Sequence, residues 1–228
     1  MRSFGFRIGR SAKQAISYAW LLASGKKRFL MKVDVKKAYD SVSHDWILKN
    51  IPIERNVLVQ WLKSGVLEKG QLTVDSSGVP QGGPISPTIF NLVMNGIEKA
   101  IMAKDKTVFP VRFADDIMLF GNTKEAVEKM KEVIIDFLKP RGMALNEEKT
   151  EVAEINKGMD LLGYTIREFK DHTRVGRKGR PDKKGILLIK PSMKAKINFK
   201  AKISELFRIH QKSTAYTLIL KVNPVIRG

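Results

Sequence analysis

Three carboxylates stand out by where they fall in the chain. Asp115 and Asp116 are adjacent, with an apolar segment on each side, from Val108 to Phe113 and from Ile117 to Phe120. Two apolar runs separated by a short polar break read as a β-hairpin, which sets the acidic pair at its tip. Taken alone, an Asp-Asp pair there is a turn signal, because Asp favours turns through local hydrogen bonds. Asp34 changes that reading. It lies near the end of another apolar, partly β-branched strand, from Arg28 to Val35. With that strand beside the hairpin, three carboxylates gather at one end of a sheet. Divalent cations bound through oxygen would relieve their repulsion. Two such ions, ~3.5–4 Å apart, serve in-line displacement at phosphorus: one activates the attacking oxygen and the other stabilises the leaving group.

The surrounding elements must hold these residues in place. Residues 1–10 read as a glycine- and arginine-rich loop, and Ser11 caps a helix to about Ala23. Helices are expected from His44 to Leu48 and from Glu54 to Lys63, with a short strand from Gln71 to Val74. Three glycines and three prolines make a loop of Gly78 to Pro87. One helix is expected from there to about Met102, with Ile89, Leu92, Val93, Gly96 and Ile97 on one face. Pro110 suits the start or edge of the first hairpin strand. Thr123 caps a helix to about Leu138, stopped by Pro140 and Gly142. Short strands are expected over 143–154 and 160–167, then a basic loop over 174–184 and a strand from Ile186 to Ile189. Ser192 starts a lysine-rich helix to about Arg208, and a last helix runs from Ser213 towards Val222. Strand, helix, hairpin, helix, strand is the order of a ferredoxin-like sheet. A boundary is expected near residue 168.

Composition narrows the partners. Lys and Arg number 42 against 23 Asp and Glu, a formal net charge of +19. That points to a polyanion, either nucleic acid or an anionic membrane surface. There is no cysteine, which excludes disulfides and thiolate zinc sites. The three histidines, His44, His172 and His210, are too scattered to support a zinc site or a Ser-His-Asp triad. No apolar run approaches the roughly 18 residues of a membrane helix, and the start lacks the apolar core of a signal peptide. A cytoplasmic or organellar protein, not secreted and without a membrane partner, is expected.

Seven blocks now fall in order along the chain. They are Ser3-Phe4-Gly5-Phe6-Arg7 with Gly9-Arg10-Ser11; Asp34-Val35-Lys36-Lys37-Ala38-Tyr39-Asp40; Gly78 to Pro87; Phe113-Ala114-Asp115-Asp116; Gly142 to Asn146 with Lys149-Thr150; Leu161-Leu162-Gly163-Tyr164; and Lys190-Pro191-Ser192 with residues 223–228. In this order they resemble reverse transcriptases of the group II intron type. The resemblance implies an α+β right-hand polymerase palm, a ferredoxin-like antiparallel sheet with helices on one face. Partial fingers and a helical thumb segment would accompany it. The implied organisation is partial fingers over 1–27, the catalytic palm over 28–168, a basic loop and strand over 169–190, and the start of the thumb or maturase region over 191–228.

Roles carry over from the resemblance position by position. Asp34 and Asp115 would be the main ligands of two Mg²⁺ ions, for which Mn²⁺ can substitute. The Val35 carbonyl would assist, and Asp116 would complete the acidic cluster. Tyr39, with Lys37 and Ala38 beside it, would lie under the incoming sugar and reject a 2′-hydroxyl. Gln81 would touch the nucleotide and template, and Lys149 the triphosphate. Arg7 and Arg10 would reach phosphate or template, since a guanidinium pairs with phosphate through two parallel hydrogen bonds. Ala114 would lie against the primer end, while Leu162, Gly163 and Tyr164 hold the primer strand. Lys194 and Lys200 belong to a lysine stripe suited to a duplex backbone. The implied activity is RNA-directed DNA synthesis in intron mobility, with an RNA template, a DNA primer, dNTPs and the cognate intron RNA as partners. A maturase that binds RNA and assists splicing, and a reverse transcriptase in phage defence or CRISPR adaptation, are the alternatives. The chain departs from the family pattern in having Phe113 where tyrosine is usual. It also starts inside the finger block and ends within the maturase region, so a fragment or shortened core is expected.

Overall fold

The computed structural model describes residues 2–25, 27–68, 71–73, 77–80, 82–169 and 185–227. In chain order the first elements are α1 (Ala12–Ser24), β1 (Phe29–Val33), α2 (His44–Asn50), α3 (Arg55–Lys63), β2 (Val66–Glu68), β3 (Gln71–Thr73), α4 (Ser86–Val93) and α5 (Ile97–Lys104). Then come β4 (Phe109–Phe113), β5 (Asp116–Gly121), α6 (Lys124–Glu128), α7 (Met130–Leu138), β6 (Glu151–Glu154), β7 (Met159–Leu161), β8 (Tyr164–Phe169), β9 (Ile186–Pro191), α8 (Met193–Ile209) and α9 (Ala215–Arg227). No helix among the described residues is long and apolar enough to cross a membrane.

The centre is a four-stranded antiparallel sheet in the order β4-β5-β1-β6. This is the expected ferredoxin-like arrangement, with the first strand between the hairpin and the last strand. Side-chain alternation explains why β1 and β5 read as continuous apolar runs. Met31, Val33, Ile117 and Leu119 join one core cluster with apolar residues of α2 to α7. Leu30, Met118 and Phe120 face the other way, into a second cluster with α1, β7 and β8. Ala15, Ala19 and Ala23 recur every fourth residue and are buried, a small-residue stripe that lets α1 lie against β4. Its start is a capping box: Ser11 accepts from the Gln14 backbone N–H, and the Gln14 side chain accepts from that of Ser11. Thus α2 to α7 cover one face, and α1 with the three-stranded sheet β7-β8-β9 covers the other.

Several expectations change in detail. The helix expected through to Met102 is two helices, because Gly96 sits in the left-handed region at φ 99° and turns the chain between α4 and α5. The helix capped by Thr123 is likewise divided, into α6 and α7, with Lys129 at the junction. Within 143–154 only Glu151–Glu154 is a regular strand, and Leu145 makes an isolated antiparallel bridge with Val35. The strand at Gln71–Thr73 has a partner in Val66–Glu68 that the sequence reading passed over. Pro110 sits on the outermost sheet strand, and the other edge of that strand is met by the N-terminal strap. There Arg112 N–H donates to the Arg2 carbonyl (2.9 Å) and Phe4 N–H to the Arg112 carbonyl (2.8 Å). The last helix extends past Val222 to Arg227, with Pro224 inside it. The basic loop over 174–184 and Gln81 lie outside the described residues.

Candidate active site

Strand register brings the three carboxylates together. In β1 and β5 the last paired residues are Val33 and Ile117, so Asp34 and Asp116 emerge side by side at the same sheet end. Phe113 pairs with Asp116, leaving Ala114-Asp115 as a two-residue hairpin turn. Asp115 is exposed and Asp116 half-buried. Burial, then the negative charges of Asp115 and Asp34, push the Asp116 carboxyl above its ordinary value; Lys32 opposes them. Among the described residues none of the three forms an ion pair.

This negative field, offset at Asp116 by Lys32 and made of oxygen donors alone, suits a hard divalent cation. No three acidic, histidine or cysteine groups among the described residues are already drawn into one coordination sphere. An all-oxygen donor set of this kind is the chemistry a hard divalent cation takes.

The turn itself is strained and braced. Ala114 is buried and left-handed at φ 55°, which costs a residue with a Cβ roughly 1–2 kcal/mol. Arg112, on β4, is fully buried and donates through Nη1 to the Ala114 carbonyl (3.3 Å) and to Asn91 Oδ1 (3.0 Å). Its Nε pairs with Glu98 at 2.7 Å. Burial lowers the Arg112 pKa and Glu98 pulls it back up. Asn91 in turn donates to the Gly5 carbonyl (2.9 Å). A Cβ on Gly5 would lie 2.5 Å from the Ala114 nitrogen, so the strap can touch the turn only with glycine there. Asn91 from α4 and Glu98 from α5 flank the Gly96 break, and both reach the same guanidinium. Sequence reasoning gave no role to Arg112, Asn91 or Glu98, although an arginine inside an apolar strand is a signal of a buried, paired charge.

Tyr39 stands at the same end. Its ring stacks on Phe90 at 4.3 Å and 21°. Burial, then the Asp115 charge, raises its pKa. The Tyr39 carbonyl accepts from Val79 N–H (2.7 Å), and Gly78 N–H donates to the Val42 carbonyl (2.7 Å). A Cβ at Gly78 would lie 2.7 Å from the Asp40 backbone, and its φ is 90°, so glycine lets these two sequence blocks meet. Val35 and Ala38 are buried, while Lys37, at φ 43°, and Lys149 are exposed.

The remaining candidates lie in two further places. Arg7 donates to Ser3 Oγ (2.9 Å), and Arg10 lies 5.5 Å over the Phe4 ring. With Phe6, Thr88 and Asn91 they line a groove of about 610 Å³ beside the strap. Leu162 and Gly163, both with positive φ, form the β7–β8 turn, and Tyr164 beside it is exposed. Ser192 N–H donates to the Gly163 carbonyl (2.9 Å), tying that turn to the start of α8, on which Lys194 and Lys200 are exposed.

A sheet of this topology with an acidic cluster at the ends of its first strand and its hairpin defines a nucleic-acid polymerase palm. Residues 1–166 match the family model described as reverse transcriptase (RNA-dependent DNA polymerase), and the chain belongs to that family. Among curated relatives it is 27% identical over 210 residues to protein YkfC of Escherichia coli, covering 72% of this chain and 54% of that one. It is 30% identical over 106 residues to the group II intron-encoded protein LtrA of Lactococcus lactis, covering 44% of this chain and 18% of that protein. The telomerase structure from Candida albicans, with a fragment of telomeric RNA, superposes with TM-score 0.56 at 14% identity, over 99% of this chain and 42% of that one. The chain thus spans about half the length of YkfC and a smaller part of the other two.

Proposed function

We propose that this chain is the catalytic core of an RNA-directed DNA polymerase that adds dNTPs to a primer 3′-hydroxyl on an RNA template, in the service of group II intron mobility. The observation that carries the reading is the meeting of Asp34, Asp115 and Asp116 at one sheet end, where none of them forms an ion pair among the described residues. When bound, two Mg²⁺ (or Mn²⁺) ions would activate the primer hydroxyl and neutralise charge on the departing pyrophosphate. Asp34 and Asp115, with the Val35 carbonyl, hold them, and Asp116 deepens the negative field. Ala114 meets the primer end, Tyr39 lies under the sugar beside Lys37 and Ala38, and Gln81 and Lys149 face the nucleotide. Arg7 and Arg10 take template phosphate, Leu162 to Tyr164 take the primer strand, and Lys194 and Lys200 the duplex backbone.

The test is primer extension by the full-length protein on an RNA template with Mg²⁺. Asp34→Ala and Asp115→Ala are each expected to abolish synthesis while RNA binding stays within a few-fold. Extension that survives both changes would overturn the reading. A second reading, an RNA-binding splicing helper, is favoured by the exposed lysines of α8, Lys194, Lys196, Lys200 and Lys202. It predicts that the full-length protein stimulates splicing of its cognate intron at low Mg²⁺.

A further inference from the structure

Asp34 lies just beyond the last paired residue of β1, where no strand partner holds its side chain. One segment grips it instead. The Asn146 backbone N–H donates to the Asp34 carbonyl (2.8 Å), and the Asn146 side-chain Nδ2 donates to Asp34 Oδ2 (3.0 Å). The Asp34 N–H donates to Thr150 Oγ1 (3.3 Å). The segment is itself anchored: Leu145 is buried and bridges Val35, and Thr150 is buried with its N–H on the Asn146 carbonyl (2.9 Å). The backbone bonds alone would fix the chain here. The side-chain bond does something further, since it selects one carboxylate oxygen.

We infer that Asn146 is a positioning residue that fixes the Asp34 carboxylate for cation binding; this rests on the polymerase reading above. An ionised carboxylate only accepts hydrogen bonds, so the face of the amide turned to it must be the NH₂. The bond to Oδ2 fixes the carboxylate plane and leaves Oδ1 for a cation. The residue type matters as much as the distance. A lysine or arginine at 146 would neutralise the carboxylate and compete with the cation, whereas a neutral amide orients the oxygen and leaves its charge intact. Partners of this kind, which hold a ligand without touching the ion, typically change metal affinity 10- to 100-fold when removed.

The experiment uses the full-length protein bound to a dideoxy-terminated primer on an RNA template. Mn²⁺ binding is titrated by electron paramagnetic resonance for wild type, Asn146→Ala, Asn146→Leu (similar volume, no donor) and Asp34→Ala. Thermal melting and primer–template affinity are measured alongside. Asn146→Ala and Asn146→Leu are expected to weaken Mn²⁺ binding about tenfold or more, with primer–template affinity within twofold of wild type. In primer extension both should raise the Mg²⁺ concentration for half-maximal rate more than they lower the rate at saturating Mg²⁺. Unchanged Mn²⁺ binding in a variant that folds overturns the inference, as does failure of both variants to fold, which would make the role structural. Asp34→Ala separates the two claims. If it loses Mn²⁺ binding while Asn146→Ala does not, only the Asn146 inference fails. If it retains Mn²⁺ binding and synthesis, the polymerase reading fails.

Discussion

Arg112 shows how a charge inside a sheet can serve a site it never enters. Its guanidinium is fully buried and its chief compensation is Glu98. Removing one partner of such a pair strands the other without water, at a cost of roughly 3–5 kcal/mol. Glu98→Ala is therefore expected to lose about that much in urea denaturation. The double change Arg112→Met with Glu98→Leu should recover much of it, because no buried charge is left. Primer extension should stay low in the double variant, since the Ala114 carbonyl has still lost its donor. Tyr39 makes a different residue-scale prediction. If Tyr39 sits beneath the incoming sugar as proposed, Tyr39→Ala is expected to raise ribonucleotide incorporation on the order of tenfold or more. Tyr39→Phe, which keeps the ring on Phe90, should leave discrimination near wild type in single-nucleotide insertion assays.

Elements position the site through a few close approaches. The N-terminal strap lies on the hairpin turn because Gly5 has no Cβ. Gly5→Ala is expected to push the strap off the turn, costing about 1–3 kcal/mol, read by denaturant midpoint, with a matching loss of insertion rate. The α4–α5 break at Gly96 plays a related part: one continuous helix was the simpler expectation from the apolar spacing, but the two halves deliver Asn91 and Glu98 to one guanidinium. Asp105, just after α5, has its carboxyl held below the ordinary value by hydrogen bonds from Thr107, first from its side chain and then from its backbone N–H (2.7 Å). A carboxyl lowered on folding contributes stability above its unfolded pKa and loses it as pH falls through the folded one. The acid limb of a stability–pH curve should therefore be shallower in Asp105→Asn.

Across the whole molecule the dominant feature is the charge of +19. Affinity for nucleic acid should fall steeply with salt, because each neutralised phosphate releases counterions. Lys194→Ala and Lys200→Ala are each expected to reduce the slope of log affinity against log salt by about 0.7–0.9, with little change in preference among template sequences. That outcome would place α8 on the duplex backbone; an unchanged slope in both would remove it from the interface.

The sequence by itself marked most of the sheet and helix elements, and the chemistry they could carry. Largely apolar runs marked β1, β4 and β5, caps at Ser11, Thr123 and Ser192 started helices, and Asp34 with Asp115 and Asp116 marked the sheet end where charge would gather. Those signals are local, each written within a few residues. Tertiary structure decided what depends on residues far apart in the chain meeting. It brought Asn146 to Asp34 across 112 positions, Asn91 to Gly5 across 86, and Glu98 to Arg112 from the far side of a helix break. Spacing could not announce these contacts, because a side-chain hydrogen bond across a core leaves no periodic trace. Only the packed sheet shows that the Asn146 amide holds Asp34 and that a buried arginine braces the turn that carries Asp115.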